Sequence, residues 1–289
     1  MFRNSRYVAS ALALIWTATL FAAPPASAPM RTPDAASRPA GSPPGGIVED
    51  PTKPSPSGGL ARPSAGFLNT HNRLLAKAKA GGIELYMEGD SITDFWQTRF
   101  AANWNANLAP WKAGDFGISG DRTQNVLYRI ENGELDGVNP KVVVLMIGTN
   151  NLASNATYGE NTVEDTVKGV VACVDAIHKK APDAKVLVMS ILPRFDPPPK
   201  ARPDINARIV QTNEAIAKLD NGKTVRYLSI YDKFIDKDGK MIPGLLNNDN
   251  LHPADKGYQV WFEAMKPILT EWLGAPPAPA KAAAPGGAN

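Results

Sequence analysis

Cysteine and histidine are scarce in this chain of 289 residues, which has one cysteine, Cys173, and three histidines. A single cysteine excludes an intrachain disulfide and a cysteine-based zinc site. The histidines, His71, His178 and His252, are too widely spaced in the sequence to form a recognisable metal-binding motif. The sequence therefore offers no metal-ligand pattern.

An excess of charge of one sign is also lacking, because 31 Lys and Arg stand against 28 Asp and Glu, a formal charge of +3. The basic excess lies in the two ends of the chain, so the central part is close to neutral. A neutral domain has no electrostatic footprint for nucleic acid, and we expect no nucleic-acid partner.

The N-terminus carries an apolar run, Val8–Ala23, that is shorter than the roughly 20 residues a membrane-spanning helix needs. Two arginines precede it, and Ala26-Ser27-Ala28 follows it as an A-x-A-like cleavage site made of small residues. This pattern predicts a signal peptide over residues 1–28, hence export to the periplasm or the exterior without stable membrane insertion after cleavage. The alternative is an uncleaved N-terminal membrane anchor, because Pro24 and Pro29 follow the plausible cleavage points.

Proline is unevenly spread, since eleven of the 26 prolines lie between residues 24 and 66. That stretch has few large apolar side chains and cannot offset the entropy of ordering it. We predict a disordered Pro/Ser/Gly-rich linker over 29–66 and a disordered Ala/Pro-rich tail over 274–289. The remaining residues, 67–273, have the size of one domain.

Short apolar runs alternate with helical periodicity across residues 67–273, which predicts βαβ units and a parallel sheet covered on both faces. The run 141–147 is apolar on both faces, as a central parallel strand should be. The predicted strands are 83–87, 112–116, 141–147, 185–190 and 225–230, and the predicted helices are 67–80, 123–132, 162–180, 204–219 and 254–273.

Polar, glycine-containing stretches follow three of these strands, at the edge where parallel sheets bind ligands. They are Gly89-Asp90-Ser91, Gly117 to Asp121, and Gly148-Thr149-Asn150, and a fourth polar stretch, Asp249 to His252, precedes the last helix. Their convergence at one edge is the main functional clue in the sequence.

The candidate nucleophile is Ser91, and Asp249 lies three residues before His252. That spacing lets a carboxylate orient the imidazole and leaves Nε2 to take a proton from a serine. The backbone N–H groups of Ser91 and Gly120 and the Asn150 amide are candidate donors to an oxyanion. Taken singly, each residue also fits a helix cap or a turn.

Together the four stretches resemble the four blocks of the SGNH (GDSL) hydrolases, whose letters fall on Ser91, Gly120, Asn150 and His252. The longer runs Phe116 to Ile130 and Glu131 to Leu135 resemble the branch that contains the platelet-activating-factor acetylhydrolase small subunits and bacterial acetylesterases. Asn151, where many members have aspartate, matches that branch.

The resemblance implies a flavodoxin-like three-layer α/β/α fold with a five-stranded parallel sheet, and ester hydrolysis without a metal or cofactor. It assigns Ser91 as nucleophile, His252 as general base and Asp249 as its orienter. It assigns the oxyanion hole to the Ser91 and Gly120 N–H groups and the Asn150 side chain.

The expected substrate is a small-molecule or glycan ester with a short acyl group, acetyl by the branch resemblance and an O-acetylated glycan by the expected export. The alternatives are a lysophospholipase or thioesterase of the same family, an inactive glycan-binding descendant, and a structural envelope protein on a Pro-rich tether. Arg194 and the loop to Pro203 are candidates for the leaving-group side.

Overall fold

A computed structural model describes residues 47–57, 63–154, 158–198 and 202–276. The predicted signal peptide, most of the predicted linker and residues 277–289 of the tail lie outside these ranges. Among the described residues, no helix combines the length and apolarity that crossing a bilayer requires.

Five parallel strands form one sheet in the order β2-β1-β3-β4-β5, which is the flavodoxin-like order. The strands are β1 Leu85–Gly89, β2 Ala113–Gly117, β3 Val142–Met146, β4 Lys185–Met189 and β5 Val225–Leu228. The helices are α1 Ala65–Ala80, α2 Ser91–Thr98, α3 Ala101–Asn107, α4 Thr123–Arg129, α5 Val163–Lys180, α6 Ile205–Ile216 and α7 Asp255–Leu273. The predicted parallel α/β architecture is confirmed.

The side chains of the central strand, β3, point alternately to the two faces of the sheet, and this divides the core into two layers. Val143 and Leu145 of β3 pack with α1, α4 and α5, whereas Val142 and Val144 face α2, α3 and α7. Cys173 lies in the first layer, on the apolar face of α5. A helix layer therefore covers each face of the sheet, and only its edges and the two ends of the strands remain open to loops.

The register brings the three motif-bearing strands to the same height. Gly89 of β1 pairs with Gly117 of β2 on one side and with Met146 of β3 on the other. The residues that follow these three positions therefore leave the sheet together at its carboxyl edge, around the switch between β1 and β3.

The first strand lies two residues later than predicted, because the sequence pattern treats Glu88 as the end of the apolar run. Glu88 is fully buried in the strand and contacts the Arg129 guanidinium. A neutralised carboxyl can occupy a strand interior, so β1 continues to Gly89.

A described part of the predicted linker, residues 47–57, is packed against the domain and is called the strap below. The Thr123 hydroxyl donates to the Pro51 carbonyl (2.9 Å), and the Asn125 amide donates to the Ser55 carbonyl (2.8 Å). The Asn161 amide donates to the Glu49 carbonyl (3.0 Å). The strap is thus held by polar contacts to the first turn of α4 and to Asn161, shortly before α5, which composition alone does not reveal.

We expect a chain that begins at residue 63 to unfold at a lower temperature than one that begins at residue 43. The lost hydrogen bonds are worth about 1 kcal/mol each, partly offset by the entropy of ordering the strap. A net loss of about 1–3 kcal/mol corresponds to a Tm lower by roughly 3–10 °C for a domain of this size. Thermal unfolding of the two chains measures the difference, and equal Tm values would contradict a stabilising strap.

Candidate active site

Ser91 is the first residue of α2 and is separated from the end of β1 by Asp90 alone. The Asp90 side chain caps this helix by accepting from the Ile92 N–H (2.9 Å). As the first helical residue, Ser91 has no intrahelical acceptor for its own N–H, which leaves that group for a ligand. Ser91 is 8% exposed, at the sheet edge.

Glycine is required at position 89 because the first turn of α2 packs closely on two strand ends. A Cβ at Gly89 would lie 2.3 Å from the Thr93 hydroxyl and 2.5 Å from the Met146 carbonyl oxygen. Any larger residue would push α2, and with it Ser91, away from the sheet.

The imidazole of His252 links Ser91 to Asp249. His252 Nε2 lies 2.8 Å from Ser91 Oγ, and Nδ1 lies 2.6 Å from Asp249 Oδ2. Because Asp249 is acceptor-only when ionised, Nδ1 carries the proton and Nε2 is free to accept from the serine. The structure thus brings the three predicted residues into one chain of hydrogen bonds.

Asp249 is held by its own turn. Its Oδ1 accepts from the backbone N–H groups of Leu251 (3.1 Å) and His252 (3.0 Å). Partial burial works to raise the pKa of the Asp249 carboxyl, but these bonds and the imidazole outweigh it and lower the pKa below its ordinary value. The carboxylate is therefore ionised at neutral pH.

The predicted oxyanion donors lie on the neighbouring loops. Asn150 Nδ2 donates to the carbonyl of Asp121 (2.9 Å), the residue after Gly120. Ser119, the residue before Gly120, donates its hydroxyl to Asp94 in α2 (2.7 Å). Gly120 has φ +87°, and no atom beyond its chain neighbours lies within 4 Å of the position that a Cβ would occupy. This loop therefore bridges Asn150 and the helix that begins at Ser91.

Phe95 is a buried core residue of α2, and it also contacts the histidine. Its ring centroid lies 4.5 Å from that of His252, and the Arg99 guanidinium lies 3.4 Å from the Phe95 centroid on the same helix. Phe95 therefore restricts the imidazole from a side that Asp249 does not reach. Its position one turn after the nucleophile was the only signal for this contact.

Arg194 was a candidate for the leaving-group side, and the structure gives it a different set of contacts. It is buried, paired with Asp196 through Nε (2.7 Å), and donates to the Thr149 carbonyl (3.1 Å). The next residue, Phe195, donates its N–H to the Asn250 carbonyl (2.9 Å). This loop thus connects the Asn150 stretch to the turn that carries Asp249 and His252.

Burial raises the pKa of the Asp90 carboxyl to about 7, against the opposing hydrogen bond from Ile92 and the charge of Arg194. Asp90 caps the helix at its positive end, where a carboxylate is favoured.

In the part of the chain that the structure describes, no group of three His, Cys, Asp or Glu side chains is arranged to hold a metal ion.

A cavity of about 280 Å³ lies away from these residues, between α6 and β5. None of the predicted site residues lines it. It is lined by Val210, Asn213, Glu214, Ala217, Tyr227, Ser229, Tyr231 and Asp232.

The parallel sheet with a Ser–His–Asp arrangement at its carboxyl edge defines an α/β protein with a site of the serine-hydrolase type. The sequence model of the GDSL-like Lipase/Acylhydrolase family matches residues 88–260, well over half of the chain. The chain therefore belongs to this family, the SGNH hydrolases, and it is an ester hydrolase.

The curated relatives agree with this family, and the solved structures agree with the fold. The chain is 35% identical over 208 residues to the platelet-activating factor acetylhydrolase IB subunit alpha2 of Rattus norvegicus, covering 72% of this chain and 85% of the relative. A GDSL-like lipase from Bacteroides thetaiotaomicron is similar in fold, with a TM-score of 0.59 at 19% identity, covering 70% of this chain and 97% of that one. A catalytic mutant of an acetylxylan esterase from Geobacillus stearothermophilus has a TM-score of 0.52 at 15% identity, covering 68% and 98%.

Proposed function

We propose that the protein removes short acyl groups, acetyl foremost, from esters through an acyl-serine intermediate. The observation that carries this proposal is the hydrogen-bonded series from Ser91 Oγ through His252 to Asp249, with distances of 2.8 and 2.6 Å. Such a series activates a serine that is otherwise a weak nucleophile.

In the first half-reaction, Ser91 Oγ attacks the ester carbonyl carbon while His252 Nε2 takes the hydroxyl proton. The carbonyl oxygen becomes an oxyanion and accepts from the Ser91 N–H, the Gly120 N–H and the Asn150 amide. Collapse of the tetrahedral intermediate expels the alcohol, which receives the proton from His252. The acyl group is then an ester of Ser91.

In the second half-reaction, His252 takes a proton from water, and the resulting hydroxide attacks the acyl-serine carbonyl. The same donors stabilise the second oxyanion, and Ser91 leaves with the proton that His252 returns. Asp249 stabilises the imidazolium in both halves without becoming protonated.

The acetyl assignment is supported by the 35% identical relative, whose name is an acetylhydrolase. The glycan part of the proposal depends on the predicted signal peptide, since export places the enzyme where O-acetylated envelope or plant polysaccharides are found. We therefore propose O-acetylated glycans as the natural substrate class and the periplasm or exterior as its location.

We expect p-nitrophenyl acetate to be hydrolysed with a higher kcat/KM than the butyrate, octanoate or palmitate ester, because a short acyl chain is the proposed substrate group. The assay uses the chain from residue 29, which keeps the strap. A preference for the octanoate or palmitate ester would contradict the acetyl proposal and favour a lysophospholipase or thioesterase of the same family. No turnover of any ester by folded protein would favour the glycan-binding descendant or the structural envelope protein.

The glycan proposal has its own test with native esters. Acetate release is measured from acetylated xylan and from O-acetylated peptidoglycan, and fatty-acid release from a lysophospholipid serves as comparison. Release from either polysaccharide supports the glycan proposal, whereas release confined to small aryl esters contradicts it.

A further inference from the structure

A single buried guanidinium, that of Arg129 at the end of α4, connects the loops of the candidate site. Its Nε donates to Asp121 Oδ2 (2.8 Å). One terminal nitrogen donates to the Phe116 carbonyl (2.9 Å), and the other donates to the Gly89 carbonyl (3.2 Å). Gly89 ends β1 and Phe116 lies one residue before the end of β2, so one side chain joins two strand ends and the loop between β2 and α4.

Two of these contacts lie close in the sequence to a predicted oxyanion donor. Gly89 precedes Ser91 by two residues, and Asp121 follows Gly120 directly. The Asp121 carbonyl also accepts from the Asn150 amide (2.9 Å), which fixes the side chain of the third donor. The proposed mechanism uses these three donors but gives Arg129 no role of its own.

Charge explains why this position holds an arginine. The carboxyls of Glu88, Asp121 and Glu134 all contact the guanidinium, and all four side chains are fully buried. Burial raises the pKa of Asp121 to about 8 and also raises that of Glu88, while the Arg129 charge opposes both shifts. A guanidinium stays charged in such surroundings and offers donors in a rigid plane, which lysine does not.

We infer that Arg129 is a positioning residue for the oxyanion hole, which sets the places of the Ser91 and Gly120 N–H groups and of the Asn150 amide relative to one another. This inference rests on the proposed acyl-serine function. It differs from a purely structural role in that loosening Arg129 slows the chemical step and leaves substrate binding alone, because the oxyanion exists only after attack.

The test is Arg129→Lys, which keeps the buried positive charge and loses the planar set of donors. We expect kcat for p-nitrophenyl acetate to fall about 10- to 100-fold with KM within roughly threefold, since a misplacement of about 1 Å can cost roughly 10²-fold. Activities are compared at a temperature well below the Tm of both proteins.

Glu134→Gln is the matched control, because Glu134 belongs to the same cluster but is not adjacent to any of the three donors. Its Oε1 lies 2.7 Å from His71 Nδ1, and its Oε2 contacts Arg129. We expect this variant to lower the Tm and leave kcat within about twofold of the parent. If both variants lower the Tm and neither changes kcat, the cluster is only structural and the inference is overturned.

A double-mutant cycle with Asn150→Ala tests whether Arg129 acts through the donors. Loss of one oxyanion donor should cost roughly 10²–10³ in kcat. If Arg129 positions that donor through Asp121, the two losses in kcat will combine to less than their product. Multiplication within about twofold, the behaviour of independent sites, would contradict coupling through Asn150.

Asp121→Asn is the second variant, should Arg129→Lys not fold, since it removes a charge without changing the volume. It is expected to lower kcat less than Arg129→Lys, again with KM nearly constant, and an unchanged kcat would overturn the inference. Failure of the proposed function is seen separately, because the parent protein would then not hydrolyse esters or would keep its activity without Ser91.

Discussion

Replacing Ser91 by alanine is expected to lower kcat for p-nitrophenyl acetate by roughly 10⁴–10⁶, the largest loss of any single substitution in the chain. Alanine has no oxygen that could form an acyl intermediate, whereas the oxyanion donors and the bound substrate remain. The residual rate should therefore stay above that of the uncatalysed reaction. Steady-state kinetics with purified Ser91→Ala measures the loss, and a fluorophosphonate should label the parent protein on the peptide that contains Ser91 and fail to label the variant.

Ser64→Ala is a matched control for this substitution. The Ser64 hydroxyl caps α1 by accepting from the Phe67 N–H (3.4 Å), and α1 contributes none of the proposed catalytic groups. Its loss should cost about 0.5–2 kcal/mol of stability and leave kcat unchanged. If Ser91→Ala keeps more than about a tenth of the parent activity while Ser64→Ala behaves as expected, the acyl-serine mechanism is excluded.

His252→Ala gives an independent check of the same mechanism, because Ser91 and His252 act as one unit. The variant without both residues should be about as slow as either single variant, since a serine without its base and a base without its serine are equally ineffective. A further large loss in the double variant would mean that some other group activates the nucleophile.

The convergence of the site residues could be predicted because it depends on a regular feature of the fold. Parallel strands end at one edge, and the register aligns Gly89, Gly117 and Met146 there. A reader of the sequence needs only the strand ends to know that the three stretches meet. The turn from Asp249 to His252 followed from spacing alone, since three residues are enough for the carboxylate to reach the imidazole.

The strap could not be predicted, because the rule that assigned residues 29–66 to a linker counts large apolar side chains. The strap is fixed instead by backbone carbonyls of Glu49, Pro51 and Ser55, which accept from polar side chains of the domain. Backbone acceptors are present at every residue and leave no trace in composition. Their use depends on partners that lie 70 or more residues further along the chain.

The burial of the charged side chains around Arg129 could not be predicted from the sequence for a different reason. Arg129, Asp121 and Glu134 lie in the two sequence runs that resemble one branch of the family, and their residue types indicate a solvated surface. They are buried because they neutralise one another, which requires α4 and the ends of two strands to be in place. The two runs that resemble the branch therefore also hold the loop that contains Gly120, although the sequence pattern shows only the resemblance.

Replacing Asp249 by asparagine is expected to lower kcat by about 10²–10⁴, the largest single effect outside the Ser91–His252 pair. Asparagine keeps the shape of the side chain, but its amide can donate to Nδ1 and so favours the tautomer with the proton on Nε2, which cannot accept from Ser91. The charge that stabilises the imidazolium is lost as well. We expect a smaller loss in kcat than for a fully buried aspartate that orients a histidine. The Asp249 side chain is 47% exposed, so water can replace part of the electrostatic stabilisation that its charge gives the imidazolium.

Asp183→Asn is the control for this charge change, since Asp183 lies just before β4, at the opposite edge of the sheet, and is exposed. It should leave kcat unchanged. The decisive measurement is the kcat of Asp249→Asn as the pH is raised from 6 to 10. If only the tautomer and the charge are wrong, hydroxide in solution will replace His252 in part, and the variant will gain proportionally more activity than the parent as the pH rises. A variant that keeps full activity at every pH would show that the two backbone N–H bonds, and not the bond to the imidazole, are the reason for this aspartate.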